Sequence, residues 1–307
     1  MISLLLLYKI FQLFIFMVLG FVIVKSGVIK SDDSKVLSKL SLYMFMPSVI
    51  INSFDVTLTS EIAKGLTIAF ISAIVIHIVL LILDFCNKKF LGASSVERAS
   101  IIYSNAGNLI IPIVSFVLGE EWIIYSCAFL SVQIFFLWTH GICIFSSDKK
   151  PDIKKILCNV NIIAIAVGAV LMLSGQKLPG VIKDVVSPLG SMLGPVGMII
   201  AGMLAAKLSC REILKNKRLY LTVFMRMIFC PIVVLGIMKL FKTFFVMENY
   251  NVLLISYLAS MTPSAATVMQ FAQITDNNES YATAVNIVTT LVCIVTMPLF
   301  VGLFNMI

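Results

Sequence analysis

The chain has 307 residues, of which 60% are hydrophobic and 12% charged, and its formal net charge is +8. A soluble domain contains roughly 45–50% apolar and about 25% charged residues, so this composition excludes an ordinary soluble protein and predicts a polytopic membrane protein. Because the basic residues cluster between apolar runs, the positive charge indicates membrane topology and not a nucleic-acid partner.

Ten apolar runs follow in chain order, each about 20 residues long, which suffices to cross roughly 30 Å of hydrocarbon. They fall at about 4–24, 36–54, 62–83, 99–118, 122–145, 156–174, 185–206, 219–240, 252–274 and 280–305. The sequence therefore predicts an all-α membrane protein with ten transmembrane helices. With this topology, most of the 23 basic residues lie in loops on the side opposite the termini. The positive-inside rule then places both termini outside the cell and the basic loop 146–155 in the cytoplasm.

Several features of the first half recur in the second half at one fixed offset. The matching pairs are Gly20 and Gly168, Ser26 and Ser174, Gly27 and Gly175, Lys35 and Lys183, and Pro47 and Pro195. This register predicts two repeats of five helices, residues 1–145 and 156–307, joined by the loop 146–155. Because five is an odd number, the second repeat enters the membrane from the opposite side. Inverted repeats are typical of secondary transporters that bind substrate near the membrane midplane.

Two of the runs carry polar residues where the bilayer centre is expected. The fourth holds Ser104, Asn105, Gly107, Asn108 and Pro112, and the ninth holds Ser260, Thr262, Pro263, Ser264, Thr267, Gln270 and Gln273. Proline breaks or kinks a helix, and in lipid each freed backbone group costs several kcal/mol unless it is satisfied or lines a cavity. A broken helix offers amide groups that suit a carboxylate and carbonyl groups that suit a cation. The two breaks predict a binding site, and the alternative is a proline kink whose polar residues bond to neighbouring helices.

The residue types in these segments suggest separate roles in the predicted site. Asn105 and Asn108 would donate amide hydrogen bonds to a substrate, and Gly107 would let it approach closely. The ninth helix contributes the rest of the predicted binding set, which is Thr262, Pro263, Ser264 and Gln270.

Ionisable residues inside the spans are further candidates. Arg226 in the eighth helix is a candidate contact for an anion, although it could also reach the cytoplasmic interface. His77 in the third helix is a candidate carrier of a coupling proton, and a neutral histidine bonded to a carbonyl is the alternative. Ser104 and Gln273 offer neutral oxygens for a coupled cation such as Na⁺. The seven cysteines are scattered without regular spacing, so they predict neither a disulfide framework nor a metal site, and no cofactor is expected.

Three segments carry a resemblance to a known family. They are "GVIKSDDSKVLSKLSLYMFMPSVIINSF", "SNAGNLIIPI", and "MTPSAATVMQFAQ" followed by "VNIVTTLVCIVTMPLF". In order and spacing the chain resembles, over nearly its whole length, the auxin efflux carrier family of PIN-like transporters, whose bacterial members are described as malate or malonate permeases. It departs from the family at Val160, where a proline is common, and at Asn108, where an apolar residue is more usual. These departures put the choice of substrate in doubt.

The resemblance implies an arrangement of the ten helices. Helices 4 and 9 would cross at their breaks, with Asn105 and the prolines Pro112 and Pro263 at the crossing. Helices 1, 2, 6 and 7 would form a scaffold, in a homodimer, and helices 3–5 and 8–10 a core that moves as an elevator. The resemblance to bacterial members also implies a prokaryotic cell membrane.

The functional expectation is a secondary transporter of a small organic anion, such as malate, malonate or an auxin-like monocarboxylate. One alternative is a sodium-coupled symporter of bulkier amphipathic anions, similar to the bile-acid carriers, and another is a receptor of the same fold that does not transport. An enzyme is not expected, because no metal-ligand cluster or nucleophile–base set occurs in the sequence. The substrate, the coupling ion (Na⁺, H⁺ or none) and the direction of transport stay open.

Overall fold

The computed structural model describes residues 2–145, 154, 157–207, 215–244, 250–275 and 277–306, without the side chains of residues 2–7, 9–10, 244, 270, 273 and 274. Apart from Lys154, the predicted cytoplasmic loop 146–155 lies outside the described residues.

Within these ranges the chain is helical, which confirms the predicted all-α class. Among the described residues, six helices are long and apolar enough to cross a membrane, namely α2 (Ser31–Ser53), α3 (Ser60–Leu91), α5 (Glu120–Phe145), α7 (Gly180–Ala205), α8 (Lys217–Thr243) and α10 (Glu279–Phe304). The other helices are α1 (Ile2–Lys25), α4a (Ser95–Ile102), α4b (Ala106–Val117), α6 (Val160–Ser174), α9a (Tyr250–Ser260) and α9b (Ala266–Ile274). Every predicted run overlaps one of these helices, or a pair of them in the fourth and ninth runs.

Local sequence explains several helix ends and irregularities. Helix α4a begins with a capping box, in which the Ser94 hydroxyl accepts from the Glu97 amide and the Glu97 carboxylate accepts from the Ser94 amide. Three of the helical prolines follow widened π-helical turns, because proline cannot donate the regular i→i−4 bond. Such turns precede Pro47 in α2, Pro112 in α4b and Pro231 in α8.

The packing divides the helices into two groups. In the first group, α1 lies along α7, and α2 packs against α6 and α7. Gly20 of α1 permits this contact, since a side chain there would overlap the backbone of Ile199 in α7. In the second group, α3 packs against α5 and α9a, while α10 contacts α8 and α9b. The large buried core joins the two groups, and the breaks in helices 4 and 9 lie inside it.

Polar contacts show which helix ends lie together. The Lys207 ammonium, which follows α7, is 2.6 Å from the Asp32 carboxylate at the start of α2. At the same time, Arg218 at the start of α8 donates a 2.8 Å hydrogen bond to the carbonyl of Leu91 at the end of α3. The end of α7 therefore lies beside the start of α2, and the start of α8 lies beside the end of α3.

The opposite end of α2 is fixed to the beginning of α7 through Asp55. Its carboxylate accepts hydrogen bonds from Lys183, at 2.7 Å, and from the amide of Leu178, at 3.1 Å. Burial alone would raise the pKa of Asp55, but the bonds from Lys183 and Leu178 outweigh it, so this pKa lies below its usual value of 3.8. Asp55 is consequently ionised at neutral pH, and α2 and α7 are antiparallel.

Candidate functional site

The breaks in the fourth and ninth helices meet and pair as two very short antiparallel strands. Ser104 and Ser264 lie opposite each other in this pairing. The amide of Asn105 donates to the carbonyl of Pro263 at 2.8 Å, and the amide of Ala265 donates to the carbonyl of Tyr103 at 2.9 Å. Each break therefore satisfies backbone groups that the other leaves without a helical partner, which is what a break inside an apolar protein requires.

A side chain from α5 satisfies the backbone of Ser104. The Gln133 amide nitrogen donates to the Ser104 carbonyl at 2.8 Å, and its amide oxygen accepts from the Ser104 backbone N–H at 3.2 Å. The Ser104 hydroxyl also donates to that oxygen. Gln133 thus holds the first break in one conformation.

Two side chains from α10 do the same for Ser264. The Asn286 amide donates to the Ser264 carbonyl at 2.5 Å, and the Thr289 hydroxyl accepts from the Ser264 backbone N–H at 3.2 Å. Helices α5 and α10 therefore hold equivalent positions, each clamping one of the two breaks.

On one side of the crossing, the carbonyl ends of α4a and α9a converge on Arg226. Its guanidinium, which is completely buried, donates to the carbonyls of Ile101, Ile102, Ser260 and Thr262 at 2.6–3.3 Å. A positive group at the C-terminal ends of two helices is electrostatically favourable, because these ends carry partial negative charge.

On the other side of the crossing lies a cavity of about 210 Å³. The residues at the start of both second half-helices face it: the N-cap Asn105 with Gly107 and Asn108 of α4b, and the N-cap Ala265 with Ala266 and Thr267 of α9b. Its opposite wall comes from the other helix group, including Ser38 and Ser41 of α2, Asn159 and Asn161 next to and in α6, and Gly197 of α7. The cavity therefore lies between the two helix groups.

The cavity combines uncharged polar side chains with a largely apolar lining. Within the described part of the chain, its lining contains no Asp, Glu, Lys, Arg or His. The amide side chains of Asn105, Asn108 and Asn161 all reach it, and the amide oxygen of Asn161 is buried without a hydrogen-bond partner. Two helix N-termini add positive potential, each equivalent to about half a unit charge. This arrangement suits an anion that accepts hydrogen bonds.

A comparison with family models matches the chain over residues 5–154 and 149–301 to a family described as "Membrane transport protein". The chain belongs to this family. It corresponds to the auxin efflux carrier family that the sequence resembles, so the suspected relationship is confirmed. A search of curated proteins finds no match.

Membership in the membrane transport protein family establishes a coarse function. The chain is a membrane transporter, which implies a small-molecule substrate and a lipid environment, and the family consists of transporters and not of enzymes. Together with the apolar helices, it makes this a multi-pass membrane protein.

The cavity brings together only some of the residues predicted for the site. Asn105, Gly107 and Asn108 line it, as does Ser104. Thr262, Pro263 and Ser264 lie in the second break but are not among the described residues that line the cavity. From this break the first lining residue is Ala265. The side chains of Gln270 and Gln273 lie outside those that the structure describes.

The predicted helix-crossing prolines occupy different places. Pro263 is in the crossing itself and accepts the hydrogen bond from Asn105. Pro112 lies further along α4b, where Gly194 of α7 makes room for its ring. The contact of Pro112 with Gly194 joins the two helix groups and not the two breaks.

His77 lies away from the cavity. Its Nδ1 is 2.7 Å from the carbonyl of Ala73 in its own helix, and its ring packs against Phe129 and Phe136. The other ring nitrogen is buried without a hydrogen-bond partner. This environment matches the neutral histidine that the sequence left as an alternative for His77.

A series of polar contacts connects Tyr103, next to the crossing, with Asp84 in α3. The hydroxyl of Tyr103 is 2.9 Å from Nδ1 of His140, and Nε2 of His140 is 3.3 Å from the carboxylate of Asp84. Arg98 forms a bidentate ion pair with the same carboxylate at 2.6 and 2.9 Å. These bonds fix α4a, which carries Arg98 and ends at Tyr103, against α3 and α5.

Sequence reasoning missed the supporting residues Gln133, Asn286 and Thr289 and the cavity residue Asn161. An amide in the middle of an apolar helix is a signal that could have found the first two, because a buried amide needs partners. Asn161 gives no such signal, since nothing local shows that α6 faces the break in another helix.

Proposed function

We propose that this membrane transporter is a secondary carrier of a small organic anion, a mono- or dicarboxylate, which binds in the cavity beside the crossing. One observation carries the proposal: two half-helix N-termini and the side-chain amides of three asparagines converge on one uncharged cavity. Carboxylate oxygens accept hydrogen bonds from such groups, and helix N-termini favour negative charge.

The size of the cavity favours a small substrate. Its volume of about 210 Å³ lies below the roughly 300–1,000 Å³ that is usual for pockets of drug-sized ligands. Malate, malonate or a small aromatic acid of the auxin type suits this space better than a bulky amphipathic anion does.

Two inverted repeats of five helices, residues 1–145 and 156–307, are part of the proposal. Helices α2 and α7, which are equivalent under the repeat, run antiparallel, as inversion requires. Gly20 of α1 packs closely on α7, and its counterpart Gly168 of α6 packs closely on Phe54 at the end of α2. The clamps on Ser104 and Ser264 from α5 and α10 have the same symmetry.

The two helix groups would correspond to the fixed and the moving body of an elevator-type transporter. Helices 1, 2, 6 and 7 would form the scaffold, and helices 3–5 and 8–10 the core that carries the substrate across the membrane. The cavity between the groups supports this division, because the substrate would then contact both bodies in one state. We place the carrier in the cell membrane of a prokaryote with both termini outside, and we propose that the scaffold forms a homodimer.

The experiment that tests this function is ligand-induced thermal stabilisation of the purified protein. Malate, malonate, acetate, indole-3-acetate and a bile salt, as the bulky amphipathic anion, would each be added in sodium and in potassium buffers at two pH values, beside the Asn105→Ala protein. A ligand at about 100 times its dissociation constant stabilises by about 2.7 kcal/mol, which gives a measurable rise in the melting temperature. We expect a rise for at least one carboxylate that the Asn105→Ala protein loses.

The outcomes separate the proposal from its rivals. An equal rise in both proteins would move the binding site away from the crossing, and stabilisation only by bulky amphipathic anions with sodium would favour the bile-acid type of symporter. Binding without uptake into proteoliposomes would indicate a receptor. The dependence on sodium or pH would identify Na⁺, H⁺ or neither as the coupling ion.

A further inference from the structure

Arg226 lies where the electrostatics of the crossing call for a cation. The last carbonyls of α4a and α9a point at one spot and carry the partial negative charge of two helix ends. In membrane carriers with broken helices, unwound carbonyls and half-helix C-termini commonly coordinate a coupling ion such as Na⁺. Here a guanidinium of the chain itself fills the position.

The hydrogen bonding of this guanidinium is complete. Arginine has five N–H donors, and Arg226 makes five hydrogen bonds, all of them to main-chain carbonyl oxygens. Three of its acceptors are Ile101, Ser260 and Thr262, so the group bridges the ends of both first half-helices. Since no donor is left over, Arg226 does not hydrogen-bond a ligand in this state.

The positive charge nevertheless lacks a negative partner. Among the described residues no carboxylate lies within ion-pair distance of Arg226, whereas Arg98, Lys183 and Lys207 each have one. A buried charge is costly unless it is compensated, and carbonyl dipoles compensate it only in part. An anion in the cavity would supply the missing negative charge.

We propose that Arg226 is the resident cation of the crossing, which replaces a bound metal ion and provides the positive charge that attracts the anion. That Arg226 attracts the anion rests on the proposed function, whereas its role as the resident cation does not. Thr262, which binds the guanidinium, and Ala265, which lines the cavity, are three residues apart, so the charge is within roughly 10 Å of the cavity. At an effective dielectric constant of about 20, a unit charge at that distance changes anion affinity on the order of tenfold.

The first test is chemical rescue of Arg226→Ala, which needs no substrate. This variant leaves the carbonyl cage with a cavity of the shape of a guanidinium ion. We expect millimolar guanidinium chloride to raise its melting temperature saturably, compared with choline chloride at the same concentration. The control is Leu254→Ala, which leaves an apolar cavity at a fully buried site in α9a and is not rescued. No rescue of Arg226→Ala, or an equal effect on Leu254→Ala, would overturn the cation assignment.

The second test compares two milder variants by anion affinity. Arg226→Lys keeps the charge with three donors, and Arg226→Gln keeps polar contacts without the charge. We expect the glutamine variant to bind the stabilising carboxylate about tenfold more weakly, and the lysine variant to stay within a few-fold of the wild type. Equal losses in both variants would indicate a structural role alone and contradict the proposal.

Sodium provides the remaining check. If Arg226 is the resident cation, the wild type binds the carboxylate equally well in sodium and potassium buffers, and a strict sodium requirement would overturn the proposal. If no carboxylate stabilises the wild type, the proposed function fails, and the guanidinium rescue alone decides whether Arg226 is the resident cation.

Discussion

At the scale of single residues, the proposed anion site has no charged side chain among the described residues of its lining. Asn105 and Asn108 come from the proposed core, and Asn161 faces them from α6 of the proposed scaffold. An asparagine amide donates without adding charge, so the positive potential comes from the helix ends and from Arg226 behind the crossing. In the proposed site, three neutral amides would fix the position of the anion, while the positive charge lies behind the crossing.

Asn161→Ala tests the scaffold side of the site. The side-chain amide of Asn161 lines the cavity, where its N–H groups can donate to a carboxylate, and its oxygen has no partner within the protein, so its removal loses a ligand contact. We expect anion affinity to fall about tenfold, the value of one hydrogen bond to a charged group, with an unchanged melting temperature of the ligand-free protein. Isothermal titration with the stabilising carboxylate measures this.

A matched control for this variant is Asn52→Ala in α2. Asn52 also has a buried amide oxygen without a partner, but it lies outside the described cavity lining. An equal loss of affinity in both variants would contradict the assignment of Asn161 to the site.

At the scale of elements, the crossing depends on helices that are not themselves broken. The pairing of Ser104 with Ser264 satisfies backbone groups of the neighbours on each strand, whereas those of the two serines depend on α5 and α10. Breaking two helices in the core is therefore tolerated only because Gln133 and Asn286 occupy matching positions in the next helices.

Gln133→Leu should damage the crossing more than a typical substitution does. It leaves the carbonyl and the amide of Ser104 buried and unpaired, at a cost of about 1–3 kcal/mol for each group. We expect a clearly lower melting temperature and loss of uptake in proteoliposomes.

Ser131→Ala in the same helix provides the comparison. The hydroxyl of Ser131 bonds only to the carbonyl of Cys127 in its own helix, so its loss should have little effect. Comparable destabilisation by both variants would argue against a specific clamp from Gln133.

At the scale of the whole molecule, the contact of Pro112 with Gly194 marks where the proposed core would slide on the scaffold. A side chain at Gly194 would have its Cβ 3.0 Å from that of Pro112, so a shift of well under 1 Å would bring the two positions to the roughly 3.5–4.5 Å of a disulfide. In a protein without its native cysteines, Pro112→Cys with Gly194→Cys should cross-link on oxidation. We expect uptake to stop and to recover on reduction.

A second cross-link separates sliding from general damage. Phe54 of α2 and Gly168 of α6 approach equally closely, with 2.9 Å between Cβ positions, and both belong to the proposed scaffold. Phe54→Cys with Gly168→Cys should therefore cross-link without stopping uptake. A carrier that works with Pro112→Cys bonded to Gly194→Cys would refute the elevator.

The sequence predicted much of this arrangement but not its supporting contacts. The length of the apolar runs predicted the helices. The segments "SNAGNLIIP" and "MTPSAAT" predicted the two breaks, because polar and helix-breaking residues are unfavourable within an apolar membrane helix. The register at which the breaks meet depends on the packing of distant helices. For that reason Thr267, and not Thr262, faces the cavity, and the sequence could not reveal that Arg226 lies behind the crossing.

The burial of Arg226 has an electrical consequence. In the proposed elevator α8 belongs to the core, so the guanidinium travels through the membrane field with it. A bound monoanion compensates the buried charge of Arg226 in the loaded core, whereas in the empty core this positive charge is uncompensated. A potential of 100 mV acts on a unit charge with about 2.3 kcal/mol. An inside-negative voltage would therefore leave the loaded step almost unaffected and pull the empty core toward the cytoplasm, which makes the return of the empty carrier the voltage-dependent step.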